Sequence, residues 1–406
     1  MGDPLLNTNL PNWVCCQRGA REHYALPRAL ARVGRLEALI TDFWWRGTPG
    51  NSFPWPAKMG QRSHPELTGQ QVVSFNSGFV YSELTAKLSK ADWFHQQQQK
   101  NRWFQQRCIQ VLKGLARDGK PRVVFAYSYA AKEILAFAKQ QGWQTVLGQI
   151  DPGPLESDLV LKEYARLHLE PSYLYKSPAA YWQDWRQETA LADRILVNSA
   201  WSLECLQEQG VPAGKMEVIP CAYEVPSPVS LEKRSWPTQF TQARPLRVLF
   251  LGQTIIRKGI HVLMNAASQM LSDPIQFEVA GGGLDHPNLD IPSNVNWRGP
   301  VSREETGKLY EAADVFILPT LSDGFAITQL EALARGIPVI ASRHCGQVVR
   351  DHKNGLILDE VTPAAITGAL RKLLENPLLL ETMSQHAAVP EVFSIQHLGA
   401  ALTLKS

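Results

Sequence analysis

The sequence predicts an α/β fold made of two Rossmann-like domains. Three observations support this prediction. Apolar runs of strand length alternate with helical patterns after residue 240, the same alternation recurs less regularly before it, and a proline-rich polar stretch separates the two regions. Strands that alternate with helices pair in parallel through right-handed crossovers. A chain of 406 residues is also too long for most single cores and suits two domains.

The domain boundaries follow from where the alternation begins and stops. We expect a first domain over residues 1–225, with an insertion at about 41–120 where aromatic and Gln-rich sequence replaces the pattern. Residues 226–243 are rich in proline and polar residues, which is typical of an interdomain linker. The second domain covers 244–389, and the tail 390–406 is free to return to the first domain.

In the first domain, short apolar runs predict strands and amphipathic segments between them predict helices. The predicted strands are 13–16, 122–126, 145–149 and 194–197. The predicted helices are 24–33, 130–140 and 178–190, with further helices expected inside the insertion. A glutamine run at 96–99 is interpreted as a solvated helix face, with contact to an acceptor as the alternative.

The second domain shows the pattern more clearly. Its predicted strands are 246–252, 277–280, 295–299, 315–319 and 336–341. Its predicted helices are 259–267, 304–312, 325–335 and 362–374. Ligands of open parallel sheets bind beyond the carboxyl ends of the strands. The polar clusters of this half all fall at such ends, which favours a binding site there.

Composition excludes several classes of protein. The apolar fraction of 44% and the charged fraction of 19% are those of an ordinary globular chain. Net charge is +3, with 27 Lys and Arg against 22 Asp and Glu before residue 241 and 14 against 16 after it. That excess is too small for a nucleic-acid surface. The basic first half could favour anionic lipids or phosphorylated acceptors, or it could reflect solvated helix faces.

Targeting and metal signals are weak. The six cysteines are scattered without a CxxC pair, so reduced thiols are expected and a zinc site is not. The chain has no run near the roughly 20 apolar residues that span a bilayer. Its first residues lack the order of a secretory signal. We therefore expect a cytoplasmic protein.

A candidate phosphate-binding loop follows the first strand of the second domain. Gly252 allows close backbone approach to a ligand. Arg257 and Lys258 then place two cations at the start of a helix, and both side chains bind phosphate oxygens well. A solvated Arg-Lys turn is the alternative, so this motif alone does not decide the function.

The segment from Asp323 to Glu331 carries the clearest functional pattern. It leads from a strand that ends in proline into a helix, and its first free N–H groups suit an anion. Glu331 stands beside apolar positions of that helix, where its carboxylate needs hydrogen-bond donors such as a ribose diol. The structural alternative is a helix cap at Ser322 or Asp323 and a salt bridge at Glu331.

Together these segments resemble family 4 of the retaining glycosyltransferases. The resemblance implies the GT-B architecture, in which two Rossmann-like domains face each other across a cleft. The resemblance lies in residues 311–320, in Asp323-Gly324-Phe325 and in residues 331–341. Asp323 and Glu331, with seven residues between them, match the two acidic residues of the family's E-x7-E signature. It extends to the phosphate loop 252–259 and to the runs 192–199 and 219–223 of the first domain. These motifs span most of residues 120–385.

The resemblance implies a set of donor-binding residues. These are Gly252, Arg257, Lys258, Gly299, Val301, Gly324, Phe325, Ala326, Ile327 and Glu331. It also implies catalytic roles for Asp151, Asp323 and Glu331: Asp151 stands where the family usually has a histidine, Asp323 would bond sugar hydroxyls, and Glu331 would bind the donor ribose. Gly19, Arg21 and Glu22, after the first strand, are the implied acceptor-binding residues.

Three departures from the family pattern affect this implied site. Asp323 replaces the first Glu and shortens its reach by one methylene, and Gln253 replaces the usual phosphate-binding Arg. Arg257 would then join Lys258 in neutralising the diphosphate. Ala326 replaces a glycine, a mild change if its φ stays negative.

The implied function is a hexosyltransferase of the glycosyltransferase class. It would move a sugar from a nucleoside-diphosphate sugar to a hydroxyl of a sugar, lipid-linked or glycan acceptor, with retention, in polysaccharide or glycoconjugate synthesis. Since no DxD-type motif occurs at a suitable loop, neither a metal nor another cofactor is expected. Nucleic acid is not an expected partner, whereas peripheral contact with the inner membrane face is.

The alternatives are proteins of the same fold: a catalytically weak sugar-nucleotide binder, an epimerase or a phosphorylase. A nucleotide-dependent oxidoreductase is disfavoured because the motif G-x-G-x-x-G is absent.

Overall fold

A computed structural model describes residues 10–45, 62–88, 91–225, 234–283, 285–286 and 288–404. The first nine residues and the start of the predicted linker, 226–233, lie outside the described residues. The described chain forms two sheets of parallel strands flanked by helices. This confirms the predicted two-domain α/β architecture.

The first sheet has seven strands in the order β3-β2-β1-β4-β5-β6-β7. They are Asn12–Gln17 (β1), Leu36–Thr41 (β2), Val72–Ser74 (β3), Arg122–Tyr127 (β4), Gln144–Gln149 (β5), Arg194–Val197 (β6) and Met216–Val218 (β7). The helices of this part are Ala25–Arg32 (α1), Asn76–Leu88 (α2), Trp93–Leu115 (α3), Lys132–Gln140 (α4), Pro154–Arg166 (α5), Ala179–Leu191 (α6) and Ala200–Glu208 (α7).

The second sheet has six strands in the order β10-β9-β8-β11-β12-β13. They are Leu246–Leu251 (β8), Ile275–Ala280 (β9), Val295–Gly299 (β10), Val315–Leu318 (β11), Val339–Ser342 (β12) and Gly355–Leu358 (β13). Its helices are Ile260–Ser268 (α8), Arg303–Ala312 (α9), Thr328–Leu333 (α10), Pro363–Glu375 (α11) and Pro377–Gln385 (α12), and Ile395–Thr403 (α13) follows.

Burial explains which strands the sequence reveals. The central strands β1, β4, β8 and β11 are packed on both faces, so nearly all of their residues are apolar and buried. The strands absent from the prediction are β2, β3, β7 and β13. Two of these, β3 and β7, are three-residue strands at the edges of the first sheet, where burial is incomplete and no continuous apolar run is needed.

The last helix, α13, packs on the first helix of the chain. Leu398 and Leu402 are buried in one cluster with Leu26, Ala29 and Leu30 of α1. A Cβ added at Gly399 would lie 3.0 Å from the backbone oxygen of Ala29, so the two helices are in close contact. The chain therefore returns from the second sheet to the first at its end.

Two further observations concern the described residues as a whole. No helix among them combines the length and the apolar character that crossing a bilayer requires. All six cysteines are buried free thiols, in agreement with the expectation of reduced cysteines.

Candidate active site

Three glycines, Gly252, Gly281 and Gly299, lie together where β8, β9 and β10 end, and we call them the glycine edge. The N–H of Gly252 donates to Ala280 at 3.0 Å, and the N–H of Gly281 donates to the carbonyl of Gly299 at 2.8 Å. A Cβ at Gly281 would lie 1.6 Å from the carbonyl oxygen of Gly252, so glycine is required there. A Cβ at Gly252 would meet nothing within 4 Å. The backbone at Gly252 therefore borders open space in which a ligand can approach.

The loop after β8 is held against the loop after β11. Residues 256–258 form a single 3₁₀ turn, and Gly259 follows with φ 72°. A Cβ at Gly259 would lie 1.9 Å from the carbonyl oxygen of Pro319. The carbonyl of Arg257 accepts from the N–H of Leu321 at 2.8 Å and from the hydroxyl of Thr320 at 3.0 Å. These contacts fix the position of the two cations that end the turn.

The two cations meet two carboxylates. The Nζ of Lys258 donates to Oδ2 of Asp323, and Nη1 of Arg257 lies 3.5 Å from the same oxygen. Nη1 of Arg257 also lies 3.6 Å from Oε2 of Glu156 on α5 of the first domain. The sequence placed Asp323 on the sugar hydroxyls, whereas in the structure its carboxylate pairs with Lys258.

Burial sets the electrostatics of this cluster. It lowers the pKa of the Lys258 amine, and the neighbouring Arg257 charge lowers it further. The carboxylate of Glu156 opposes this effect, because an opposite charge nearby favours the charged form of the amine. Burial is also the largest influence on Arg257 and disfavours its charge, but Glu156, Tyr175 and Asp151 together outweigh it and raise the pKa of that guanidinium. Arg257 therefore keeps its charge in this partly buried place.

The entry to α10 differs from the prediction. The helix was expected over 325–335 with Ser322 or Asp323 as its cap, but it begins at Thr328 after Ile327, and no side chain caps it. Ala326 has φ 65°, so the condition under which its replacement of a glycine would be mild is not met. A non-glycine residue in this region is strained by about 1 kcal/mol. The side-chain amide of Gln329 donates to the carbonyls of Phe325 at 3.1 Å and Gly346 at 3.2 Å, which holds the turn.

Three of the predicted donor residues have side chains in the second domain's core. Phe325 is buried and its ring lies 5.8 Å from that of Phe393. Ile327 and Val301 pack against the same cluster. Phe325 therefore offers a donor its backbone, whereas the side chains of Val301 and Ile327 stay partly exposed.

Glu331 lies half-buried on α10 beside an aromatic partner from α9. The hydroxyl of Tyr310 donates to its Oε2 at 2.9 Å, and the Arg335 guanidinium lies 4.8 Å from the Tyr310 ring centre. Burial lowers the pKa of His23, Arg303 lowers it further and Glu331 raises it. Glu331 therefore acts electrostatically on a residue of the first domain and faces the space between the domains.

In the first domain, Asp151 lies at the carboxyl end of β5 and is held by three donors. Its Oδ1 accepts from the hydroxyl of Tyr129 at 2.6 Å, from the N–H of Gly153 at 2.9 Å and from the side-chain amide of Gln149 at 3.1 Å. This oxygen is fixed by its neighbours, and the carboxylate is only partly buried. Tyr129 carried no signal in the sequence, because its contact depends on the neighbouring strand.

The loop that leads into α10 touches the first domain at this same turn. A Cβ at Gly324 would lie 2.3 Å from the carbonyl oxygen of Ile150 and 3.3 Å from the Cα of Asp151. The indole N–H of Trp201 donates to the hydroxyl of Ser322 at 3.0 Å. The structure thus brings Asp151 together with Gly324, Lys258 and Asp323 at one junction of the two domains.

The predicted acceptor residues separate into two places. Gly19 donates its N–H to Oδ1 of Asp42 at 2.9 Å, and Arg21 lies with its guanidinium 5.3 Å from the Tyr127 ring centre; both line a cavity of about 360 Å³. Glu22 lines a separate, smaller recess next to Cys221. Burial raises the pKa of the Glu22 carboxyl. The structure therefore places Gly19 and Arg21 together and Glu22 elsewhere.

A second set of contacts joins the domains through α5. The hydroxyl of Tyr164 lies 2.5 Å from Oδ2 of Asp285, whose Oδ1 accepts from the N–H of Ile256 at 2.8 Å. Oε1 of Glu163 lies 2.7 Å from Nε2 of His261 on α8. These contacts link α5 of the first domain to the phosphate-loop region of the second.

Glu163→Gln is expected to make the free energy of unfolding less dependent on pH in acid. Hydrogen bonds from Arg166 and then from His261 lower the pKa of Glu163 from 4.5 to about 2. Because the folded pKa is depressed, the stabilisation is present above pH 4.5 and is lost as the pH falls toward 2. The free energy of unfolding of wild type should exceed that of the variant by about 1 kcal/mol at neutral pH after solvent screening, and urea titrations should show this difference shrinking below pH 4.5.

Glu304→Gln is the matched control for that measurement. Its carboxylate is in an exposed pair with Lys308, so its removal should change the unfolding free energy by less than about 0.5 kcal/mol. A difference between wild type and Glu163→Gln that stays constant from neutral pH to pH 3 would contradict the assignment.

Comparison with known proteins identifies the second domain. A family model described as "Glycosyl transferases group 1" matches residues 235–389. The second domain is a group 1 glycosyltransferase domain. The matched residues contain the glycine edge, Arg257 and Lys258, the entry to α10 and Glu331.

Relatives with curated names agree with this assignment. The chain is 34% identical over 161 residues to a D-inositol 3-phosphate glycosyltransferase of Corynebacterium urealyticum, covering 34% of this chain and 38% of the relative. It is 28% identical over 253 residues to the enzyme of that name from Rhodococcus erythropolis, covering 55% and 56%. These alignments span only about a third to a half of the relatives.

Solved structures extend the comparison over both domains. Sucrose-phosphate synthase from Thermosynechococcus elongatus has a TM-score of 0.64 at 18% identity, covering 96% of this chain and 97% of that one. The Anabaena protein HepE in complex with UDP-glucose has a TM-score of 0.60 at 14% identity, covering 97% and 99%. These likenesses concern the fold, and the two-domain GT-B architecture implied by the sequence motifs is confirmed.

Proposed function

We propose that this protein transfers a sugar from a nucleoside-diphosphate sugar to a hydroxyl acceptor. One observation carries the proposal: the group 1 domain holds Arg257 and Lys258 on Asp323, whose neighbour Gly324 packs against Asp151 of the first domain, and Glu331 lies on the helix that follows. A diphosphate needs cations and free N–H donors, a ribose needs a hydrogen-bond acceptor, and an acceptor hydroxyl needs a second wall of the cleft. The described cluster supplies each of these.

Stabilisation of the leaving diphosphate is the main chemical contribution that we assign to the second domain. As the bond between the anomeric carbon and the diphosphate oxygen breaks, negative charge grows on that oxygen. Preorganised cations lower the barrier most when they are already held in place, as Arg257 and Lys258 are. Asp323 uses one of the three N–H donors of Lys258, which leaves others for phosphate oxygens.

We further propose that the transfer retains the configuration at the anomeric carbon. The acceptor oxygen forms its bond on the face that the diphosphate leaves, and the proton of the acceptor hydroxyl passes to the departing diphosphate oxygen. Asp151, fixed through Tyr129, is placed to orient the sugar or to stabilise positive charge at the anomeric carbon. The reaction needs no metal in this scheme, and full activity in EDTA is the expected result.

Closure of the cleft limits hydrolysis of the donor. The loop before α10 already touches Ile150 and Trp201 of the first domain. Exclusion of water from a closed site favours transfer over hydrolysis. The cytoplasm and the inner membrane face remain the proposed location, and glycoconjugate or polysaccharide synthesis the proposed setting.

Glu331→Gln is expected to weaken binding of the donor nucleotide by about 10- to 100-fold, the range for a lost charged hydrogen bond. A carboxylate can accept from both hydroxyls of a ribose, whereas the amide offers a single acceptor oxygen. Calorimetry with UDP, GDP, ADP and dTDP gives the dissociation constants, after thermal shifts of the wild type have shown which nucleotide stabilises the fold.

Glu311→Gln on the exposed face of α9 is the control, because it makes the same chemical change outside the site. It should bind the nucleotide as the wild type does. The proposed function fails if no nucleoside diphosphate or nucleotide sugar stabilises the wild-type protein, and the ribose role fails if Glu331→Gln binds as tightly as Glu311→Gln.

A further inference from the structure

The first domain contains a cavity of about 360 Å³ next to the proposed reaction centre. Its wall includes the ends of β1 and β4, the first turns of α3, and Tyr181 of α6. Ile150 also lines it, and Tyr129 of its wall is hydrogen-bonded to Asp151. The cavity therefore adjoins the turn that carries Asp151.

The charges of this cavity are unbalanced. Among the described residues, Arg18, Arg21 and Arg62 line it together with one carboxylate, that of Asp42. Nη1 of Arg62 is paired with Oδ2 of Asp42 at 3.0 Å. Oδ1 of Asp42 is occupied by the backbone N–H groups of Gly19 and its own neighbour in the chain, both at 2.9 Å. Asp42 therefore neutralises Arg62 and leaves the other guanidinium groups in excess.

Arg18 has amide oxygens and no carboxylate among its hydrogen-bond partners in the described residues. Its Nη1 donates to the amide oxygens of Asn101 at 2.5 Å and Gln97 at 3.2 Å, and both acceptors are neutral. The other carboxylate that acts on it electrostatically, Glu83, is paired with Lys100 at 2.7 Å. Burial lowers the pKa of Arg18, which shows that its charge costs free energy in this place. A partly buried cation held by amides alone is stabilised when an anion arrives.

The same cavity has aromatic walls. The rings of Tyr129 and Tyr181 are stacked 4.9 Å apart with an interplanar angle of 8°, and Trp93 lies at the rim with 40% of its surface exposed. Aromatic faces pack against the apolar faces of sugar rings. Gln97 and Asn101 add amides, so the glutamine run interpreted as a solvated face contributes to the cavity wall.

We propose that this cavity binds an acceptor that carries an anionic group, a phosphate or a carboxylate, on a sugar or polyol, with Arg18 as the principal recognition residue. The proposal rests on the proposed glycosyl transfer and names the class of its acceptor. The anionic group would accept charged hydrogen bonds from Arg18 and attraction from Arg21. The ring would lie against Tyr129 and Tyr181, with a hydroxyl directed toward Asp151.

The test compares three probes of similar size: glucose 6-phosphate, glucuronate and glucose. Their dissociation constants are measured by calorimetry on the full chain saturated with the nucleotide that stabilises it. At least one anionic probe should bind about 10- to 100-fold more tightly than glucose, as expected for a charged hydrogen bond, and the preference should weaken with added salt. Tighter binding of glucose 6-phosphate alone assigns a phosphate, and of glucuronate alone a carboxylate.

Arg18→Gln should abolish this preference, because glutamine can still hydrogen-bond to Gln97 and Asn101 without the charge. Arg107→Gln is the matched control and should keep the preference, because Arg107 is an exposed arginine on α3, the helix that carries Gln97 and Asn101. Equal binding of all three probes to the wild type overturns the proposal even if Arg18→Gln does not fold. It is also overturned if Arg18→Gln weakens binding of the nucleotide alone as much as that of the anionic probe. Since nucleotide binding is measured separately, loss of the anion preference with nucleotide binding intact leaves the proposed function standing.

Discussion

Lys258→Ala is expected to lower kcat/KM for sugar transfer by about 1,000-fold, the upper range for removing one preorganised donor from a developing anion. The substitution removes the charge nearest to the proposed diphosphate and leaves the Asp323 carboxylate without its hydrogen-bonded cation. An unpaired carboxylate at that place repels a diphosphate, so binding of the donor should weaken as well. Steady-state kinetics with the nucleotide sugar chosen by thermal shift measure both effects.

A double variant separates the charge of Lys258 from its packing. Lys258→Met with Asp323→Asn removes both charges and keeps most of the side-chain volume, so the protein should be more stable than Lys258→Ala while transfer stays low. Lys308→Ala changes an exposed lysine on α9 and should leave kinetics unchanged. If Lys258→Ala retains transfer within about threefold of wild type, less than 1 kcal/mol of barrier, Lys258 does not stabilise the leaving group.

The sequence was sufficient for the parts of the fold that burial dictates. Strands such as β8 and β11 are enclosed on both faces, so composition reveals them without any knowledge of their neighbours. The short edge strands β3 and β7 have no such constraint, and only pairing with β2 and β6 defines them. This is why the second domain was predicted more completely than the first.

The candidate site was predictable where local sequence carries the chemistry. Arg257, Lys258 and Glu331 stand in motifs of a few residues; the structure has the two cations in the turn after β8 and Glu331 on α10. The partners of these residues come from far along the chain: Tyr310 reaches Glu331 over 21 residues and Glu156 lies near Arg257 from the other domain. Such contacts depend on tertiary packing, which no local pattern records.

Backbone conformation at single positions was the other limit. The replacement of a glycine by Ala326 was interpreted as mild if its φ stays negative, and the structure gives φ 65°. The turn is determined by Gln329, which bonds two carbonyls around it, and by the close packing of Gly346 on Phe325. A tertiary constraint of this kind overrides the local preference of one residue.

Gly324→Ala is expected to lower transfer by about 100-fold, because a misplacement of about 1 Å in an active site has an effect of that order. The added Cβ would lie 2.3 Å from the carbonyl oxygen of Ile150, which is backbone and cannot rotate away. Either the loop before α10 or the whole second domain must then move from Asp151. Overpacking of this kind also destabilises a fold by about 1–3 kcal/mol, which thermal unfolding measures.

Gly307→Ala is a control with the opposite expectation. Gly307 lies within α9, and a Cβ there would meet nothing within 4 Å, so alanine should stabilise the helix by about 0.5–1 kcal/mol without effect on transfer. Because Gly324 does not have a positive φ, its substitution reports on the contact with Ile150 and not on backbone strain. Trp201, hydrogen-bonded to Ser322, is one of twelve tryptophans, so its fluorescence is taken as the difference in emission between matched proteins with Trp201 and with Trp201→Phe. Full activity and unchanged Trp201 fluorescence in Gly324→Ala would mean that sugar transfer does not require this contact between the domains.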